Sequence, residues 1–292
     1  MAELSIEERQ IYDRQIRIWG MEAQSKLRSA KILVINFNGT TSEIAKNCVL
    51  SGMSLDILDD KIIEQPDLNN FYLRNEDVGL SRGEAGAKRI QEINCLVKVS
   101  QTKNADGNYQ VVVFSGDTAN CADINRSCRE KHIPSYYVFN SREAVLVIAD
   151  LIHPSGEISY LSLPEIIEKI PSFLQTKKKK PNLRFYAFLL ALYCKFQSLP
   201  LENAPPTFID DQVLKPLSEQ IFFSFTQEFY PSLSIAAGMV TQDIVKLITN
   251  EKAAYQLFFF DANDSVGMIE SFSTQSKAKT SLLADIEISE ID

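Results

Sequence analysis

The chain has 292 residues, enough for one large α/β domain or two small ones. Its composition, 45% hydrophobic and 23% charged, is that of an ordinary globular protein. A net charge of −8 argues against a general nucleic-acid-binding protein, which usually carries a basic surplus. The longest apolar runs are far shorter than the roughly 18 residues that a membrane span needs, so we expect a soluble protein.

The cysteines argue against a metal site and against a catalytic thiol in this chain. The five cysteines contain no C-x-x-C pair and are accompanied by only two histidines. An odd number of cysteines without a secretory leader is typical of a reducing, intracellular compartment. A cysteine nucleophile needs exposure and a depressed pKa, whereas Cys48, Cys128 and Cys194 lie in apolar helical patterns. We therefore predict that no cysteine acts as a nucleophile and that no metal is bound.

The N-terminal part of the chain predicts two helices, a strand and a third helix. Ser5 followed by Glu8 is a capping-box pattern, and Gly20 is well placed to end the first helix. A second helix over 21–30 precedes an apolar strand over 31–37. The third helix has an apolar face, formed by Ile44, Ala45, Cys48 and Val49.

Strands and helices then alternate, which is the pattern of a parallel sheet with crossover helices. Strands are predicted over 54–60, 109–114 and 135–140, with helices over 82–93 and 119–131 between them. The sequence therefore predicts an α/β fold with a mostly parallel sheet flanked by helices.

After residue 143 the pattern changes to antiparallel strands and longer helices. We predict consecutive strands at 144–151 and 158–163, a polar loop at 176–182, helices at 183–197, 211–228 and 231–249, and a final hairpin of 256–262 with 266–272. The 231–249 helix should be buried through Ile235, Met239, Ile244 and Leu247. We expect one domain over 1–272, with a short variable insertion at 172–207 and an acidic, disordered tail at 273–292.

The turn after the first strand resembles a dinucleotide-binding turn that has lost its glycines. A G-x-G-x-x-G turn would place them at positions 36, 38 and 41, where this chain has Asn36, Asn38 and Thr41, with Gly39 nearby. Asp59 ends the second strand 20 residues beyond Gly39, where an acid normally binds a ribose hydroxyl. Gly39 and Asp59 could belong to a vestigial nucleotide pocket. The alternative, which these residues favour, is an inherited scaffold with an empty pocket and a solvated Asp59.

Arg14 and Arg17 are spaced three apart on the first helix and therefore share a face. A guanidinium is permanently charged and suits anionic oxygens. Surface pairs with the nearby acids are the alternative, and the residues alone favour it.

An ordered set of motifs covers most of the chain, roughly residues 8–272. The segments YDRQIRIWG, AQSKLRSAKILVI, LDD, VGLSRGEAGA and GMVTQDIVKLIT…FFFDA together resemble the ubiquitin-like-protein activating enzymes. By length, the chain is most similar to the smaller subunit, without a catalytic cysteine, of a heterodimeric enzyme of the SUMO-activating type. The resemblance implies a Rossmann-like, ThiF-type fold in which this half acts as a pseudo-adenylation domain.

The same resemblance implies how the enzyme works. ATP and magnesium would be bound mainly by a larger, cysteine-bearing partner subunit in an obligate heterodimer. The pair would adenylate the C-terminus of a SUMO-like modifier and transfer it to the partner's cysteine as a thioester. Arg14 matches the family's arginine that reaches across the interface to the partner's ATP phosphates, whereas Arg17 would serve the helix itself. This chain is not expected to be active alone.

Departures from the active family members agree with a degenerate half. The region DLNNFYLRNEDVG lacks their Arg-Gln pair, and Arg82 replaces a later lysine. Asp117 lies near the position of a magnesium-binding acid, but its surroundings differ from the family pattern.

Two charged segments and several alternatives remain open. The KKKK run at 177–180 resembles a nuclear localisation patch, which favours the nucleus over the cytoplasm, although a solvated loop is an equal alternative. The tail could add a strand to a modifier's sheet or stay disordered. The alternative functions are a regulatory subunit of the Nedd-type enzyme and a non-enzymatic scaffold. A dehydrogenase is disfavoured by the missing glycines.

Overall fold

The computed structural model describes residues 4–116, 118, 120–151, 161–176, 182–204, 211–225, 227–251, 255–270 and 272. The helices there are α1 (Ile6–Ile11), α2 (Asp13–Ser29), α3 (Gly39–Leu50), α4 (Arg82–Gln91), α5 (Cys121–Glu130), α6 (Leu163–Thr176), α7 (Leu183–Phe196), α8 (Asp211–Phe223) and α9 (Tyr230–Thr249). The strands are β1 (Lys31–Ile35), β2 (Ser54–Leu58), β3 (Val99–Gln101), β4 (Val111–Ser115), β5 (Ser135–Ser141), β6 (Ala144–Asp150), β7 (Leu257–Asp261) and β8 (Val266–Glu270). None of these helices is long and apolar enough to cross a membrane.

The strands form one eight-stranded sheet in the order β3-β2-β1-β4-β5-β6-β7-β8. The first five are parallel, and β6, β7 and β8 extend the sheet in antiparallel pairs. The predicted fold class, a mostly parallel sheet with added antiparallel strands, is confirmed. The predicted hairpin at the end of the chain is β7 and β8.

The first helix begins where the sequence predicts, but it ends at Ile11, and the predicted end at Gly20 lies inside α2. Ser5 and Glu8 form a reciprocal capping box at the start of α1. Gly20 interrupts α2 with a φ of 85°, in the left-handed region that glycine adopts without steric cost. The predicted end of the first helix is therefore a kink between two helical segments.

One predicted strand is wrong in its described part. Residues 161–162 are not in a strand, and Leu163 begins α6, while 158–160 lie outside the described residues. Ser162 and Glu165 bond each other's backbone amides, at 3.3 Å and 2.6 Å, in the manner of a helix N-terminus. The partner of β6 in the sheet is instead β7. The polar residues at this point are therefore a helix cap and not part of a strand.

Helices cover both faces of the sheet, and the two faces hold separate hydrophobic clusters. Along β5, Tyr136 and Val138 contribute to the cluster with α3 and α9, while Tyr137 and Phe139 contribute to the cluster with α6 and α7. The range predicted as a variable insertion contains α7, whose residues 185–192 are all buried. In α9, the sequence predicts a buried Ile235, but this side chain is 42% exposed.

Candidate functional site

A cavity of about 1030 Å³ opens at the carboxyl ends of β1 and β4. The sheet order reverses between these strands, and open α/β sheets bind ligands at such a switch point. The cavity is lined by the turn between β1 and α3, by Asp59 and Arg82, and by Glu228 from the segment before α9. The predicted pocket residues Gly39 and Asp59 therefore lie together in this cavity.

Asn36 keeps the tight turn without the first glycine. Its φ is 66°, in the left-handed region, which asparagine tolerates better than most side chains. The Asn36 amide nitrogen donates to the carbonyl of Ser115, and its oxygen accepts from Arg82. The side chain thus occupies space that a glycine would leave to a ligand.

Phe37 fills the space between the turn and α4. Its ring is fully buried, and a Cβ added at Gly86 would lie 2.7 Å from two of its ring atoms. Gly86 therefore allows the close packing of α4 against Phe37. In a dinucleotide-binding turn, close packing of this kind is a role of glycine in the turn itself.

Asp59 is bonded within the protein rather than solvated. It is 8% exposed, and its Oδ2 accepts the backbone N–H of Phe37 at 2.7 Å while Oδ1 accepts that of Lys61 at 3.0 Å. The Nε atom of Arg82 lies 2.9 Å from Asp59 Oδ2. Arg82 also lies 3.5 Å from Asp67. The arginine that stands in place of the family's lysine therefore pairs with two carboxylates of this chain.

Gly39 is the first residue of α3, and its N–H donates to Glu228 Oε1 at 2.7 Å. A Cβ at this position would lie 2.8 Å from the Glu228 carboxyl carbon, so a larger residue here would displace the Glu228 side chain. Burial raises the pKa of Glu228, while hydrogen bonds from the backbone of Gly39 and Thr40 and the charge of Arg82 oppose that rise. The N-terminus of α3 therefore faces a carboxylate of the protein itself.

The residue that follows Arg14 contacts the other end of α3. The adjacent Gln15 donates from Nε2 to the carbonyl of Leu50, the last residue of α3, at 2.8 Å. At about 1.5 Å per residue, that carbonyl is roughly 17 Å from the Gly39 end. Arg14 is exposed and has no hydrogen-bond or ion-pair partner among the residues that the structure describes. Arg17 instead pairs with Asp13 at 2.9 Å.

The cysteines lie mostly in the core. Cys48, Cys121, Cys128 and Cys194 are buried, while Cys95 is exposed. Burial raises the pKa of Cys48 to about 12 and those of Cys128 and Cys194 to about 11. These three thiols are therefore poor nucleophiles at neutral pH. In the described part of the chain, no group of three or more His, Cys, Asp or Glu residues is placed to hold a metal ion.

Sequence reasoning missed Glu228 and the ion pair between Arg82 and Asp59. Glu228 is separated from Gly39 by 189 residues, and no local pattern marks it. Asp117, which the sequence places near a magnesium-binding position, lies outside the described residues.

Comparisons with known proteins place the chain in a family. The family model described as "ThiF family" matches residues 12–283. SUMO-activating enzyme subunit 1 of Dictyostelium discoideum is 30% identical over 91% of this chain and 93% of its own length. SUMO-activating enzyme subunit 1B-1 of Arabidopsis thaliana is 27% identical over 93% of this chain and 98% of its own length.

A solved structure agrees at the level of the fold. The crystal structure of PaaA superimposes with a TM-score of 0.63 at 18% identity, covering 93% of this chain and 75% of that one. By its sequence and its architecture, the chain belongs to the ThiF family.

Proposed function

We propose that this chain is the smaller subunit of a heterodimeric SUMO-activating enzyme. With a larger, cysteine-bearing partner it would support ATP-dependent adenylation of the SUMO C-terminus and thioester formation on the partner's cysteine. The proposal is supported by relatives named SUMO-activating enzyme subunit 1, which align over nearly their whole length. Four of the five thiols are buried, which agrees with a nucleophile on the other subunit.

The observation that carries the proposal is the separation of Arg14 from the chain's own cavity. Gln15, the neighbour of Arg14, contacts the Leu50 end of α3, and Arg14 is not among the residues that line the cavity. This placement supports a role for Arg14 outside the chain's own cavity. An exposed guanidinium without a described partner is suited to the phosphates of a ligand held by another subunit.

The surroundings of Arg14 suit a protein interface. Arg14 lies in the stripe Ile11–Ile18, which runs from the end of α1 into α2 and whose terminal isoleucines are 54% and 76% exposed. Interface cores are enriched in apolar side chains and arginine. We assign this stripe to the contact with the larger subunit, where burial of the isoleucines would hold the guanidinium in place.

The chain's own cavity is poorly suited to ATP. Glu228 faces the amide end of α3, Asp59 is paired with Arg82, and Phe37 fills part of the turn. We infer that ATP and magnesium bind mainly to the partner and that Gly39 and Asp59 are vestigial in nucleotide binding. The partner site would supply the magnesium and most phosphate contacts, and Arg14 would stabilise negative charge as pyrophosphate leaves.

Reconstitution tests this function. ATP–pyrophosphate exchange should appear only when this chain, its larger partner and a SUMO-like modifier are combined. Full exchange by the partner alone would reduce this chain to a non-enzymatic scaffold. Exchange with a Nedd-like modifier only would assign it to the Nedd-type enzyme.

We further propose that this enzyme acts in the nucleus and the cytoplasm, with the nucleus favoured by the KKKK run, which lies outside the described residues.

A further inference from the structure

The side chain of Glu228 lies where a phosphate would lie in a nucleotide-binding member of this fold class. The first N–H groups of a helix have no intrahelical acceptor and carry partial positive charge, so they attract anions. In this chain Gly39 N–H donates to Glu228 Oε1 at 2.7 Å, and the backbone of Thr40 bonds the same carboxylate. The helix end is therefore already neutralised from within.

The position of Glu228 is fixed by the backbone around it. The Gln227 carbonyl accepts from the backbone N–H of Arg142 and from Asn140 Nδ2, both at 2.9 Å. Arg142 and Glu228 also form a parallel bridge next to the end of β5. These contacts anchor to the sheet the backbone of the segment that carries Glu228, and the bond from Gly39 N–H orients the carboxylate toward α3.

One further observation points to an anion at this place. Asn70 lines the same cavity and is 4% exposed, and its amide nitrogen has no partner within the described ranges. A buried donor without an acceptor, next to helix N–H groups that bond an anion, fits a ligand with anionic oxygens.

We propose that Glu228 is a resident substitute for nucleotide phosphate and excludes phosphate from the cavity of this subunit. Two anions cannot share the α3 N-terminus without strong repulsion. The charged groups that line the cavity are the carboxylates of Asp59, Asp67 and Glu228 and the cations of Lys61 and Arg82, so its net charge is already negative. The proposal concerns this chain by itself and stands or falls separately from the assignment of a partner and a modifier.

Phosphate titration of the full chain, followed by the backbone NMR signals of Gly39 and Thr40, tests this assignment. Inorganic phosphate should leave both signals of the wild-type protein unchanged. In Glu228→Ala the two signals should shift in a saturable way, with a phosphate affinity at least about tenfold above that of wild type. Glu228→Gln, which is nearly isosteric and keeps an acceptor, should bind with intermediate affinity.

Asp67→Asn is the matched control, because it removes one charge from the same cavity and leaves Glu228 on the helix end. It should gain less phosphate affinity than Glu228→Gln. The proposal is overturned if the two Glu228 variants bind phosphate no better than wild type, or if Asp67→Asn gains as much as Glu228→Gln. The comparison of Glu228→Gln with wild type decides the question even if the Ala variant does not fold.

Discussion

Replacing Asp59 with alanine should destabilise the protein strongly, because Asp59 holds the cavity wall together. The change removes the acceptor of two backbone N–H groups and the ion-pair partner of Arg82, whose side chain is only 13% exposed. Removing one partner of a buried ion pair costs about 3–5 kcal/mol. Arg82 retains Asp67 and Asn36, so we expect the lower end, about 3 kcal/mol. That is a large share of the roughly 5–15 kcal/mol that is typical of a domain.

Urea unfolding followed by circular dichroism measures this cost. The matched control is Asp60→Ala, since Asp60 is the exposed neighbour and its loss should change the free energy of unfolding by less than about 0.5 kcal/mol. The midpoint should fall for Asp59→Ala with little change in the denaturant slope. Equal effects of the two variants would refute the reasoning and show that Asp59 is solvated, as a free ribose-binding acid would be.

Three further predictions concern packing, thiols and pH. Gly86→Ala should destabilise the protein, because overpacking against Phe37 costs about 1–3 kcal/mol. Gly238→Ala in α9 has open space around its Cβ and should stabilise the protein by up to about 1 kcal/mol. Unfolding midpoints of the two variants that move in the same direction would contradict this. Alkylation of the native chain, read by mass spectrometry, should modify Cys95 and spare Cys48, whose pKa is raised to about 12; rapid labelling of Cys48 would oppose the assigned burial. Burial raises the pKa of Glu228 in the folded protein. The stability that this shift contributes is therefore fully present below the ordinary pKa of glutamate and is lost as pH rises through the raised pKa. The unfolding free energy of the wild type should therefore fall over this pH range, and that of Glu228→Gln should not. Parallel pH profiles of the two proteins would contradict this prediction.

The fold could be predicted from the sequence because its signals are local. Alternating strands and helices predict the parallel sheet, and Ser5 with Glu8 predicts the first helix start. The same kind of signal is present at Ser162 and Glu165, but the residues just before it alternate in polarity and favour a strand. Short β3, with three residues, carries too little pattern to be predicted.

The site could be predicted only in part, because its contacts join distant segments. The turn that lacks glycine at 36, 38 and 41 and the predicted Asp59 do line the cavity, while the loss of nucleotide binding stays a prediction. The contact of Glu228 with Gly39 could not be inferred, since 189 residues separate the two in the sequence. The roles of Arg14, Gly39 and Asp59 in catalysis and nucleotide binding stay predictions.

The most direct test of the central claim is ATP–pyrophosphate exchange by the reconstituted pair with Arg14→Ala. Arg17→Ala is the matched control, because it removes the same side chain three residues away on the same helix, where Arg17 pairs with Asp13. We predict that Arg14→Ala lowers the exchange rate by about 10²–10³, the usual cost of losing a charge-stabilising donor, and that Arg17→Ala and the wild type exchange at similar rates. Unchanged exchange by an intact Arg14→Ala pair would contradict a role for this subunit in the partner's ATP site.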